Sequence, residues 1–276
     1  GGCRRLSGTS VAAPVATGAV ALLASTVPAA QRWSLLNPGS IKQVLVEGAT
    51  KVANGVVYES GAGVLDLQAS ATLLRDYAPR ASLFPPELDL TTPYMWPHSM
   101  SPVYATKIPH VFNATIINGM GVLGAVEAPP VWAPDNEGGR HLALDFSYGP
   151  VWPYSGYLGV HISVKDAAKG FAGVASGSFR FTVVSPPMGD ETAERRSTVT
   201  VPLKVQIVPT PPREKRVLWD QFRSIAYPPA YIPSDNPGDQ LDLFGDHPHT
   251  NFRSIFHDLR SNGYHLEVLG SPATCF

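Results

Sequence analysis

Twenty consecutive residues, Val11 to Ala30, carry no charged side chain, and this run limits the architecture more than any other stretch. It fits a membrane span, a buried helix, or a helix that presents a reactive residue at its start. Twenty residues are nominally enough to cross a bilayer. The composition argues against it: Ala, Val, Thr, Ser and Gly dominate, Pro14 and Pro28 interrupt, and only Leu22 and Leu23 are strongly lipophilic. Small side chains permit close packing on every side. The expectation is a buried helix from Ser10 to about Thr26, with Pro14 near the first turn, where a missing N–H costs little.

Two further helices follow. In "NPGSIKQVLVEGAT" (37–50), Pro and Ser signal a start, and Ile41, Val44 and Leu45 recur at helical spacing. In "GAGVLDLQASATLLRDY" (61–77), a glycine-rich turn runs into a helix with Leu67, Leu73 and Leu74 inside. Residues 1–78 thus read as one α/β unit. After "APRASLFPP" the pattern changes. Between about 79 and 212, short β-rich runs are broken by Pro and Gly: "HVFNATIING", "HLALDFSYG", "YLGVHISV", "GSFRFTVVS" and "STVTVPLKVQIV". Alternation is clear at Phe179, Phe181 and Val183, and at Val199, Val201, Leu203, Val205 and Ile207. These features predict an antiparallel β-sandwich, a unit suited to structural or interaction support. From 213 to 276, the strand "VLWD" precedes a helix with Phe252, Ile255, Phe256 and Leu259 on its apolar face. Thr250 is its expected cap, Gly263 its stop and "YHLEVLG" the next strand, which makes the start of a third, α/β domain.

A 276-residue chain accommodates several domains. A net charge of -1 argues against a nucleic-acid partner or a polybasic membrane surface. Two cysteines, Cys3 and Cys275, cannot build a disulfide framework and lie too far apart in sequence to be expected to pair. The opening "GGCRRLSG" has no charged leader with a cleavage site, so the chain reads as an internal fragment.

The chemistry converges on residues 8–18, "GTSVAAPVATG". A serine hydroxyl becomes a nucleophile when a base takes its proton and donors stabilise the oxyanion. At a helix start, the backbone N–H of Ser10 and the positive end of the helix dipole supply part of the second need. Gly8 removes bulk where a substrate backbone must approach. The same serine would serve equally well as a plain N-cap.

The block "GTSVAAPVATGAVALL" resembles the nucleophile block of subtilisin-like serine proteases, at Gly8, Thr9, Ser10, Ala12, Pro14, Ala16, Gly18 and the helix beyond. "NPGSIKQVLVEGAT" and "GAGVLDLQAS" resemble the helix and the closing turn that follow in that fold. Downstream, "PYMWP", "NATIINGMGV", "IVPTPPREKRVLWDQF", "YPPAYIP", "GDHPHTNFR" and "GYHLEVLG" resemble a Golgi-resident branch of the family, over essentially the whole chain. The resemblance implies an endopeptidase with Ser10 as nucleophile and Gly8, Thr9 and Ser10 along the substrate and oxyanion approach. It implies cleavage of membrane-anchored transcription-factor precursors on their luminal side, after motifs with arginine at P4 and an aliphatic residue at P2. It places the protein in the Golgi or endoplasmic reticulum lumen, anchored through a segment outside this chain. No cofactor is implied within these residues, with calcium left to the full-length enzyme. Where animal members carry cysteines flanking "PYMWP", this chain has Thr92 and Ser99, so that bridge is not expected.

In this family the catalytic Asp, His and side-chain oxyanion donor come before the serine, whereas the earliest histidine here is His98. The chain by itself is therefore expected to be inactive. It needs the upstream part of its own protease domain as a partner. A truncated, non-catalytic module that binds or stabilises partners is the alternative. An α/β-hydrolase elbow fails because Ala12 stands where Gly-x-Ser-x-Gly needs its second glycine. Asn113, in the only Asn-x-Ser/Thr sequon, is a glycosylation candidate. His247 and His249, with Asp246 and His257, read as a polar loop leading into a helix rather than a metal site. "REKR" (213–216) reads as a solvated linker rather than a processing site.

Overall fold

The computed structural model describes residues 6–220, 248–249 and 252–269. Its first segment is helical: α1 (Thr9–Thr26), α2 (Arg32–Leu35), α3 (Pro38–Gly48), α4 (Val57–Ser60) and α5 (Leu67–Arg75). α3 starts where the sequence predicts, on a reciprocal cap. Asn37 Oδ1 accepts from the Ser40 N–H at 2.9 Å, and Ser40 Oγ accepts from the Asn37 N–H at 2.9 Å. Asp66 caps α5 through the Ala69 N–H at 2.9 Å.

Two expectations for this segment need correction. No strand forms among residues 6–78, only the isolated antiparallel bridge Thr50–Val64. The stretch around it is broken by Gly55, Gly61 and Gly63 and is too short to pair further. Nor is α1 buried. Ala19 and Leu23 are its only buried residues, whereas Val15 and Leu22 are 66% and 56% exposed. Small side chains allow close approach on all sides, but α5 packs along one side only. The local core is correspondingly small: Leu23, Val27, Val44, Leu74 and Tyr77. Leu67 and Leu73 of α5 stay exposed, while Ser70 and Leu74 face inward.

The second segment holds β1 (Ala81–Phe84), β2 (Leu88–Asp89), β3 (His110–Asn118), β4 (Ala125–Val126), β5 (Val131–Pro134), the short α6 (Glu137–Arg140), β6 (Leu142–Tyr148), β7 (Ser155–Val164), β8 (Gly173–Ser185) and β9 (Arg195–Ile207). One sheet runs β1-β3-β7-β6 and the other β2-β9-β8-β4, with β5 also on β8. The inward side chains of both sheets form one continuous core, in which Phe146 and Phe179 meet at 5.2 Å. Phe179, Phe181, Val183, Val201, Leu203, Val205 and Ile207 are all buried, as their alternation predicts, whereas Val199 at the same spacing is half-buried. The sheets are not wholly antiparallel: β2 runs parallel to β9, with Leu88 opposite Leu203. A strand of two residues entering from α5 by way of β1 reaches β9 in that direction, and sequence alternation carries no sign of it.

A polar rivet joins the helical segment to the sandwich. Gln43, on α3, is fully buried, and its Nε2 donates to Arg80 O (3.0 Å), Ser82 Oγ (2.9 Å) and Ile117 O (3.0 Å). Its Oε1 accepts from the Tyr77 hydroxyl. Beside it Gly39 lies so close to β3 that a Cβ would fall 2.0 Å from Asn118 O, so only glycine fits.

In the third segment, β10 (Arg216–Trp219) pairs in parallel with β11 (His265–Val268), with α7 (Arg253–Ser261) between them in the chain. Parallel neighbours joined through a helix make a βαβ arrangement, as the sequence predicts. Phe256 is the buried anchor of α7, whereas Ile255 is 45% exposed. Thr250, the expected cap, lies outside the described residues.

Candidate functional site

Ser10 is the second helical residue of α1 and is exposed. The cap position belongs to Gly8, at φ 136°, and no side chain caps the helix there. Ser10 is thus not an N-cap. The sequence reading of Gly8 as a bulk-free approach gains a second cause, since that φ is open to glycine alone. The Gly8 carbonyl accepts from the N–H groups of Val11 (3.0 Å) and Ala12 (3.2 Å). The N–H groups of Thr9 and Ser10 are left as helix-end donors beside the Ser10 hydroxyl, the polarity an oxyanion needs.

Pro14 sits six residues into α1, past the first turn where the sequence reading put it. Without an N–H it cannot donate to the Ser10 carbonyl one turn back. This opens the backbone of the turn that carries the serine, a consequence legible in the four-residue Ser–Pro spacing but missed there.

Among the described residues, the Ser10 hydroxyl has no hydrogen-bond partner that could act as base. The first histidine in the chain, His98, is committed elsewhere. Its Nδ1 lies 2.8 Å from His110 Nε2, and its Nε2 lies 3.0 Å from the Tyr58 hydroxyl. Burial and the neighbouring His110 and His249 hold it well below the ordinary histidine range. This geometry offers half of a nucleophile site: a presented hydroxyl and two backbone donors.

The remaining candidates are placed as follows. Asn113 lies exposed on β3, its side chain on the outer face of the sandwich opposite Gly159. His249 and His257 pack around Trp96, with ring centroids at 6.3 and 5.9 Å, and are not a free polar loop. Asp246 and His247 lie outside the described residues, as do Cys3 and Cys275. No described group of three or more His, Cys, Asp or Glu is placed to hold a metal ion. The "REKR" run is solvated, as expected, at Arg213, Glu214 and Arg216, but it is not an open linker: Arg213–Lys215 form a 3-10 turn, Lys215 lies 4.3 Å over the Tyr264 ring, and Arg216 enters β10. Thr92 precedes the 3-10 turn Pro93–Met95, whose Met95 is buried, and Ser99 lies within the next 3-10 turn, His98–Met100.

By length and composition, α1 is the one described helix apolar enough to cross a membrane, with a mean hydropathy of 1.4. A single such helix is weak evidence for a span.

Three family models match in succession: the subtilase family over residues 1–63, the third Ig-like domain of MBTPS1 over 84–210, and its fourth, GATase-like domain over 211–276. The chain is 51% identical to the subtilisin-like protease SBT6.1 of Arabidopsis thaliana over 280 residues. It is 50% and 49% identical to the membrane-bound transcription factor site-1 proteases of Homo sapiens and Mus musculus over 284 residues. Each match takes in 100% of this chain and 27% of the relative's length. A helical piece, a β-rich unit and a parallel βαβ unit in this order agree with that succession as a multidomain α/β plus β-rich arrangement. The chain belongs to the subtilisin-like serine peptidases, in the group that resembles site-1 protease.

Proposed function

We propose that this chain carries the nucleophile and the downstream domains of a serine endopeptidase, with Ser10 as the attacking group. The observation that carries the reading is Ser10 itself. It is exposed in the first turn of a helix, uncapped and beside two backbone donors, inside a segment matched by the subtilase model. In the whole enzyme, a histidine from the preceding part of the domain would take the Ser10 proton and an aspartate would orient that histidine. The Ser10 Oγ would attack the scissile carbonyl, and the Thr9–Ser10 donors would face the developing oxyanion.

Substrates are proposed to be membrane-anchored transcription-factor precursors, cut on the luminal side of a secretory membrane. The support is the name that the human and mouse relatives carry, membrane-bound transcription factor site-1 protease. Asn113 is proposed as a glycan acceptor in the same compartment, because its sequon is exposed on an open sheet face. Any calcium would belong to the longer enzyme.

The chain alone should be inactive, because a serine without its base is a poor nucleophile. The test compares this chain with one extended through the preceding protease residues, on peptides with arginine at P4 and an aliphatic residue at P2. The extended chain should hydrolyse them and lose activity on Ser10→Ala, while the short chain stays silent. Hydrolysis that survives Ser10→Ala in the extended chain overturns the assignment. Hydrolysis by the short chain overturns its predicted inactivity.

A further inference from the structure

Three segments of the molecule meet around one short stretch, Trp96 to Met100, and four histidines gather there. Trp96 is the plate against which the third segment docks. His257 stacks on it at 5.9 Å and 8°, His249 and Phe256 approach edge-on at 6.3 and 6.5 Å, and the Arg253 guanidinium lies 4.1 Å over its ring. Arg253 also reaches Glu59 of the helical segment at 3.1 Å. Next in the chain, His98 opens the 3-10 turn His98–Met100. At one end of that turn, His98 is held by His110 of β3, Tyr58 of α4 and the ring of Phe112 at 4.7 Å. At the other, the Met100 carbonyl accepts from Arg260 Nε of α7 at 2.6 Å.

We propose that this turn is a pH-sensitive latch, which holds the third segment on the sandwich while His98 and His110 are neutral and releases it when they take up protons. With both rings neutral, one tautomer closes the contacts into a chain in which Tyr58 donates to His98 Nε2 and His98 Nδ1–H donates to His110 Nε2. One added proton is taken without losing a hydrogen bond, because His98 can exchange its tautomer and the Tyr58 hydroxyl can accept from His98 Nε2–H. A second proton, which makes both rings imidazolium, sets the His98 Nδ1–H and His110 Nε2–H donors against each other across 2.8 Å. The charges acting on His98 are those of His110 and His249, of the same sign as its own, so nothing there offsets the cost. Burial alone pulls His110 down to about 4.

Pushing the turn off β3 would carry the Met100 carbonyl away from Arg260 and Trp96 away from α7. Release would also free the buried Trp96 Nε1, which has no hydrogen-bond partner in the docked state. The other charged groups at the junction are the Arg253–Glu59 pair and Arg260, the other imidazoles facing it are His249 and His257 on Trp96, and Tyr58 is pushed up to about 12 by burial.

The sign follows from linkage. Histidines depressed in the docked state bind fewer protons than in the released state, so docking is intact above the ordinary value of about 6.5 and weakens as pH falls toward the docked values. From pH 7.5 to 5.5, the released population should grow about tenfold for each imidazole set free.

Hydrogen exchange on the whole chain, corrected for intrinsic rates, reads this directly. Protection of α7 amides should fall at least tenfold between pH 7.5 and 5.5, while β8 and β9 keep theirs. The variant with His98→Gln and His110→Gln should lose that dependence. A second measurement does not depend on the variant folding: the ring protons of His98 and His110 in the unaltered chain, followed by NMR, should titrate well below 6.5. Three results would overturn the latch: ring titration at the ordinary value, pH-independent protection of α7, or a parallel loss of protection in β8 and β9.

Discussion

The sandwich and the helical segment are built from similarly apolar sequence, yet one buries its apolar side chains and the other displays them. β8 and β9 pair over thirteen residues, from Gly173 opposite Ile207 to Ser185 opposite Arg195, and every second residue is buried from Ala175 to Ser185 of β8 and from Val201 to Ile207 of β9. α1 has eighteen residues and buries two. In a strand, alternation alone assigns a face, and it becomes core wherever the opposite sheet covers it. A helix of small residues has no single apolar face, so what it buries depends on which neighbours are present. The contrast can be measured.

The largest effect is expected deep between the sheets. Phe179 is fully buried and touches both Phe146 and Phe181, at 5.2 and 6.5 Å. Phe179→Ala should cost about 3–5 kcal/mol in urea unfolding, the range for large aromatic truncations in a packed core. A loss under about 1 kcal/mol would mean that the two sheets are less closely joined than their shared core indicates.

The next effect belongs to the helical segment and its seam. Leu23 is 1% exposed among Val27, Val44, Leu74 and Tyr77. Leu23→Ala should cost about 2–4 kcal/mol, toward the lower end because a small cluster can collapse into the space. Gln43→Leu removes the rivet: the Tyr77 hydroxyl loses its partner, and the Ile117 and Arg80 carbonyls each lose a donor, although Arg80 keeps the Gly119 N–H at 2.8 Å. The expected cost is about 1–3 kcal/mol, the penalty for stranded buried polar groups. If Gln43→Leu is neutral, the seam is held by its apolar contacts and the hydrogen bonds are incidental.

These particular residues also show how much could be read in advance. The five long strands of the sandwich follow from alternation and from their Gly and Pro boundaries. α3 follows from Asn37-Pro38 and Ser40, whose cap chemistry is local. What was not legible depends on distant neighbours. Gln43 reads as a solvent-facing helix residue until β1 and β3 arrive to take its donor. The parallel course of β2 along β9 involves two residues and leaves no pattern. His249 and His257 look like a polar loop because nothing near them in sequence announces Trp96, about 150 residues earlier. At the candidate site, Ser10 and Gly8 were legible because a turn and a helix start are local events. The cap was less so: the sequence offers Ser10 as an N-cap, and only backbone geometry gives that position to Gly8.

The smallest predicted effect tests the comparison most sharply, because two adjacent leucines differ only in which side of α1 they occupy. Leu22 is 56% exposed and Leu23 1%. Leu22→Ala in this chain should change stability by no more than about 0.5 kcal/mol, the usual bound for a surface site. If α1 is the nucleophile helix of a larger peptidase domain, the same substitution in a chain extended toward the N-terminus should cost about 2 kcal/mol or more, as for a leucine covered on all sides. Urea unfolding of both lengths, with Leu23→Ala as the internal standard, makes the comparison. An increase at Leu22 with none at Leu23 would show that the small-residue surface of α1 is an unfinished interface. Equal, near-zero values for Leu22→Ala at both lengths would show that this side of the helix faces water in either form, so that the exposed apolar surface belongs to α1 itself.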